Sequence, residues 1–151
     1  MDKHHQTEQA QQEFARLMQA IAGMDEAALT APGIGDWSVR EVLAHIAGWA
    51  QIDTEILRRI ARGERPLPEG EDYGTGESRN PGYAAAAAAK SGGGVIAEAR
   101  LAFDAFIAAA QAVPDERFAD GRTAQRVMQD SGLAHIREHR AEIESYRASR
   151  A

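Results

Sequence analysis

Leu133-Ala-His-Ile-Arg-Glu-His-Arg-Ala-Glu-Ile-Glu-Ser-Tyr146 carries His135 and His139 four residues apart. On a helix that spacing stacks two imidazoles on one face, one turn apart. With His135 as the zero of a helical wheel, His139 falls near 40° at about 100° per residue. Met128, Gly132, Ile143 and Tyr146 share the sector, so the histidines lie on the stripe that the helix buries. Two buried imidazoles one turn apart are half of a metal site. A third nitrogen has to come from elsewhere in the chain, and His45 is the best candidate.

His45 belongs to the strongest local signal in the sequence. Ser38-Val-Arg-Glu41 reads as a capping box, in which the serine hydroxyl accepts from the third amide of a helix and the glutamate reaches back. Trp37 and Val42 hold the positions of a hydrophobic staple. A helix is therefore expected from Ser38 to about Arg62, with Gly63 past its end. Val42, Ile46, Trp49, Ile56 and Ile60 form its buried stripe, with His45 at the edge. Asp53 also points inward, roughly 12 Å further along the axis. That is too far to share a ligand sphere with His45, but near enough to line the same cavity.

The remaining elements follow from periodicity. A first helix is expected from about Thr7 to Gly23, with Phe14, Leu17, Met18 and Ile21 on one face. His4 and His5 precede it on a polar end expected to fray and are not read as ligands. Residues 24 to 36 read as a connection, and residues 63 to 82 as the longest unstructured piece. Pro81 to Lys90, rich in alanine, reads as a short helix, and Ser91 to Gly94 as the break after it. A longer helix is expected from about Gly94 to Ala112, burying Val95, Ala99, Ala102, Phe103, Phe106, Ile107 and Ala110. Pro114 ends it, and a turn with Asp120-Gly121 at its tip leads to a last helix from about Thr123 to Ala148. No segment alternates with period two. The expectation is one all-α domain over residues 1–151, a four-helix bundle with a short extra helix.

Composition narrows the chemistry. The net charge of −6 argues against a nucleic-acid or anionic-membrane partner. Without cysteine there is no disulfide, thiolate nucleophile or thiolate zinc site. The polar segment Met1 to Glu8 leads into no apolar region, so no signal peptide is expected. No apolar stretch is long enough to span a membrane.

Other motifs fail on their own terms. His135-Ile-Arg-Glu138-His139 has the spacing of inverted zinc peptidases, but Glu138 points about 60° away from His135 on the wheel, and those enzymes need an acidic ligand well downstream. No Glu-x-x-His supports a di-iron site, no Gly-x-Ser-x-Gly supports a serine hydrolase, and Gly92 to Gly94 lacks the lysine of a phosphate loop. The bland alternative for each histidine is a hydrogen-bonded core side chain. Three of them facing inward favour a divalent ion, since burying unpartnered imidazoles is costly. Three ligands leave an open position, the pattern of catalytic sites. Glu142, near −20° on the wheel, is a candidate acceptor behind a ligand or a fourth ligand. Asp53 is a candidate general base. The competing class is a non-catalytic binder of small molecules, with Trp49, Tyr73 and Tyr146 lining its pocket.

Trp37-Ser-Val-Arg-Glu-Val-Leu-Ala-His45-Ile-Ala-Gly-Trp49, with His135-Ile-Arg-Glu-His139 in the last helix, resembles the DinB-like (YfiT-like) superfamily. Within it the chain is most similar to the DfsB/ClbS branch, through Trp49, the proline-containing linker, Asn80 before the alanine-rich helix, and the closing His-x-x-Glu-His-x-x-x-Ile. The resemblance implies a four-helix bundle with helices in a non-standard order, often dimeric. It implies a divalent metal, commonly nickel or zinc, held at His45, His135 and His139. The lack of cysteine fits a reducing compartment, and a cytoplasmic protein is expected. The resemblance also implies action on a small molecule, either as a hydrolase or as a transferase using a low-molecular-weight thiol. A toxin-resistance protein of the ClbS/DfsB type is the alternative it offers.

Overall fold

The computed structural model describes residues 2–150. Its helices are α1 (Lys3–Ile21), α2 (Glu26–Thr30), α3 (Val39–Ala61), α4 (Gly76–Ala88), α5 (Gly92–Ala112), α6 (Thr123–Val127) and α7 (His135–Ser149). A 3-10 turn, Asp115–Arg117, follows α5, and a π-helical segment, Met128–Ala134, joins α6 to α7. Among the described residues there is no strand. The fold is all-α, a helical bundle as the periodicity predicts. α1, α3, α5 and the composite last helix make the four long members.

The predicted stripes of α1 and α5 are buried, whereas on α3 Val42, Ile46 and Ile60 are buried, Trp49 and Ile56 are half-buried, and Leu43 and Leu57 join the core unpredicted. Phe14, Leu17, Met18 and Ile21 of α1 and the seven predicted core residues of α5 are all buried. Phe14 stacks on Phe103 with ring centroids 4.3 Å apart. α3 packs most extensively on α5, and α1 on α7. Glu13 strengthens that second seam. Burial pushes its carboxyl up, but Arg137, Arg140 and Arg16 outweigh burial and hold it below the usual range. Its carboxylate lies 3.1 Å from Arg137 and 2.7 Å from Arg16. Holding α7 to α1 fixes the direction in which α7 presents its histidines.

Several local expectations need correction. α1 starts at Lys3, because Asp2 caps it by accepting from the His5 amide. The connection after α1 contains α2, capped by Asp25, whose side chain accepts from the Ala28 amide. α3 starts after Ser38 as expected, but the capping box does not form. The Ser38 hydroxyl donates to the Glu41 carboxylate instead, and this charge-assisted pair turns both side chains toward each other and away from the two amides of the box. The true capping box is Thr75 with Ser78, and it starts α4 five residues before Pro81. Pro81 sits inside the helix, which forgoes one backbone bond there. Ser91 and the glycines after it start α5 rather than merely breaking α4. Ser91 accepts from the Gly94 amide, and the Gly92 amide donates to Glu26. The last helix is not continuously α-helical: the π segment widens it just before His135.

Candidate metal centre

Two helices meet at one point. His45 comes from the second turn of α3, His135 opens α7, and His139 follows one turn later. His135 Nε2 lies 2.7 Å from His45 Nε2 and 2.9 Å from His139 Nε2. The three ring centroids are 4.5 to 4.8 Å apart, each pair edge to face. The spacing of His135 and His139, and the inward placement of His45, therefore bring all three together as expected.

The partners on the far side of His45 fix its tautomer. Trp49 Nε1 has only a proton to give and donates to Asn80 Oδ1 over 2.9 Å. That identifies the Asn80 atom as the oxygen, an acceptor. His45 Nδ1 lies 2.8 Å from the same oxygen, so Nδ1 carries the hydrogen. His45 Nε2 is then a bare lone pair aimed at the cluster. His135 Nε2 faces two nitrogens and has at most one hydrogen to share between them. A cation among the three Nε2 atoms satisfies every one. Nitrogens bound tetrahedrally at about 2.0–2.1 Å lie about 3.3 Å apart, so the rings need to open by only about half an ångström. The residues present fit a divalent ion.

Burial keeps these imidazoles neutral, as ligands must be. Desolvation lowers all three. It takes His135 to about 4, helped by the proximity of His45, and His139 to about 3, helped by His135 and His45. His45 is lowered too, against the opposing pull of its Asn80 hydrogen bond and of Glu138. Among the described residues these three histidines are the one group of side chains able to converge on an ion.

Glu142 stands behind His139. Its Oε1 lies 3.5 Å from Nδ1, on the ring edge away from the cluster, without forming a hydrogen bond, so Nδ1 is buried and unpaired. Burial, then the charge of Glu138, pushes the Glu142 carboxyl up.

An open cavity of about 520 Å³ reaches the cluster, lined by His45, Trp49, Asp53, Gly76, Asp130, Ser131, Ala134, His135 and Glu138. Asp53 thus shares the cavity with His45, as its position on α3 suggests. Its carboxyl is pushed up to about 6 by burial, with Asp130 adding to the rise and a hydrogen bond from Ser131 opposing it. Tyr73 and Tyr146 do not line this cavity. Tyr146 instead packs against Gly33, whose added Cβ would come within 2.4 Å of the ring. His4 and His5 are exposed, away from the cluster. Sequence reasoning missed Asn80 as a partner of His45, and missed Asp130 and Ser131, which the π segment brings to the cavity wall.

The chain belongs to the DinB superfamily, whose family model matches residues 6–144. A crystal structure of a Streptococcus pneumoniae protein from a structural-genomics programme superposes with a TM-score of 0.81, covering 98% of this chain and 91% of the other at 12% identity. That likeness is one of fold. No curated protein matches the sequence.

Proposed function

We propose that this DinB-superfamily chain is a divalent-metal-dependent enzyme acting on a small molecule. The observation that carries the proposal is the convergence of three neutral imidazole Nε2 atoms at the wall of an open cavity. His45, His135 and His139 hold the ion, with nickel or zinc favoured by the family resemblance. When bound there, the ion supplies Lewis acidity toward water or a thiol.

The chain's own groups do the rest. Asn80 and Trp49 hold the His45 tautomer, and Glu142, 3.5 Å behind His139, is placed to accept its Nδ1 hydrogen after a small shift. Asp53 faces the cavity as a carboxylate that can take a proton near neutral pH. Hydrolysis and thiol-dependent transfer are the two reaction classes open to such a centre. The resemblance also supports assembly as a homodimer, and the lack of cysteine fits a cytoplasmic location.

The proposal is tested by loading the protein with cobalt(II) and recording its visible spectrum while titrating a small thiol. A catalytic site has an open position, so the spectrum shifts with a saturable dependence on thiol. An unchanging spectrum means a closed site, and a non-catalytic role of the ClbS/DfsB type then takes its place.

A further inference from the structure

The cavity has a pronounced chemical bias that the histidines do not explain. Three carboxylates line it, Asp53, Asp130 and Glu138, and no lysine or arginine does. Trp49 supplies the only large aromatic surface besides the imidazoles. Asp53 is 8% exposed, and its Oδ2 is buried with no hydrogen-bond partner. A buried carboxylate oxygen left unpaired is expensive unless something completes it.

A second metal ion does not complete it. Among the described residues, the acidic side chains join no group able to hold an ion. They are spread around the wall and act as a field rather than as a chelate. The one feature of opposite sign on the rim is the start of α4 at Gly76. Thr75 and Ser78 already satisfy amides there, and Glu77 occupies the first turn.

From this cavity we infer that the substrate is a small molecule bearing a protonated amine, with the ammonium held by Asp53 and Asp130 against the Trp49 face and the reacting group at the histidines. Both an ammonium near a carboxylate and an ammonium near an indole face are favourable contacts. Eight residues of α3 separate His45 from Asp53, about 12 Å at 1.5 Å per residue, which bounds the span between the two ends of the ligand. The same field disfavours anionic thiols, whose carboxylates would face three like charges. The inference deepens the proposed metal-dependent activity, on whose site it rests.

The test uses cobalt(II)-loaded protein and three matched probe series: ω-aminoalkanethiols, ω-mercaptoalkanoates and uncharged alkanethiols of two to six carbons. Each thiol reports through the cobalt spectrum. We expect an aminothiol to bind about tenfold or more tightly than the carboxylate and neutral thiols of equal length, the effect of one charge-assisted hydrogen bond. Asp53→Asn should remove most of that preference while cobalt still binds with wild-type stoichiometry. Asp130→Asn, a change at an exposed side chain, should remove a smaller part and keeps the test decisive if the Asp53 variant does not fold. Equal binding of the three series, a preference for carboxylates, or a preference that survives both substitutions overturns the inference. Should the protein take up no cobalt, the proposed metal-dependent activity fails separately. The amine preference is then read on metal-free protein through tryptophan fluorescence, with 1,5-diaminopentane expected to bind and glutarate not to. The reverse order, or no difference, overturns the inference there too.

Discussion

Asn80 on α4 accepts hydrogen bonds from both His45 and Trp49 on α3 through a single oxygen, 2.8 Å from His45 Nδ1. The short extra helix therefore sets which nitrogen of His45 is free to bind an ion. Removing that acceptor frees the ring to rotate and to change tautomer. Asn80→Ala is expected to weaken divalent-ion binding about 10- to 100-fold, the usual effect of losing the partner behind a ligand. Asn80→Asp, which keeps an acceptor, should hold affinity near the wild-type value. Equilibrium dialysis of the two variants checks both.

The depressed histidines make the metal-free protein sensitive to acid. An unfolded histidine titrates near 6.5, whereas the folded values of His135 and His139 are about 4 and about 3. The unfolded chain thus binds more protons between those limits. Stability is fully present above about pH 6.5 and is lost as pH falls, by up to about 1.4 kcal/mol per pH unit for each histidine. Urea unfolding in chelator from pH 7.5 to 4.5 should show this slope, and His139→Gln should flatten it.

Asp53 behaves in the opposite sense. Its folded value of about 6 lies above that of an unfolded aspartate. The stability it lends is present below about pH 4 and lost as pH rises through 6. Asp53→Asn should therefore be more stable than the wild type at pH 8, by about 1–3 kcal/mol, with the difference vanishing near pH 4. Paired denaturation curves at the two pH values decide it. A variant less stable at pH 8 would show that the carboxylate has a partner in solution.

Tyr83 lies on Gly48, so close that a Cβ there would come within 2.4 Å of the ring. Gly48→Ala gains helix propensity, worth about 1 kcal/mol, but overpacks the α3–α4 contact by about 1–3 kcal/mol. A net loss of about 1 kcal/mol is expected. α4 packs mainly on α3, so the ring escapes by lifting that helix. Ion affinity should fall along with stability, as for Asn80→Ala. A thermal melt and a metal titration of the variant read the two effects.

The bundle and the histidine cluster were legible because both rest on periodicity. His135 and His139 share a face at any helical spacing near 3.6 residues, and the α5 core repeats at threes and fours. What periodicity cannot carry was lost. Asn80 meets His45 across two helices, a contact with no local signature. The π segment has no residue that marks it in advance, so Asp130 and Ser131 were not placed at the cavity. Tyr146 fell on the correct buried stripe yet packs at Gly33, because a stripe gives a face and not a position along it. Pro81 looked like the first residue of a helix, where proline is favoured, and it hid the capping box at Thr75. Ser38 had the right sequence for such a box, but its side chain pairs with that of Glu41 rather than with the helix amides.

The central claim is that His45, His135 and His139 together hold one divalent ion. Elemental analysis of the protein dialysed with nickel or zinc and then freed of excess ion measures this directly. The account predicts about one ion per chain in the wild type, the load of a single three-histidine site, and a ratio near zero in His45→Ala, His135→Ala and His139→Ala alike. A wild-type ratio near zero, or a ratio unchanged by the three substitutions, would contradict it.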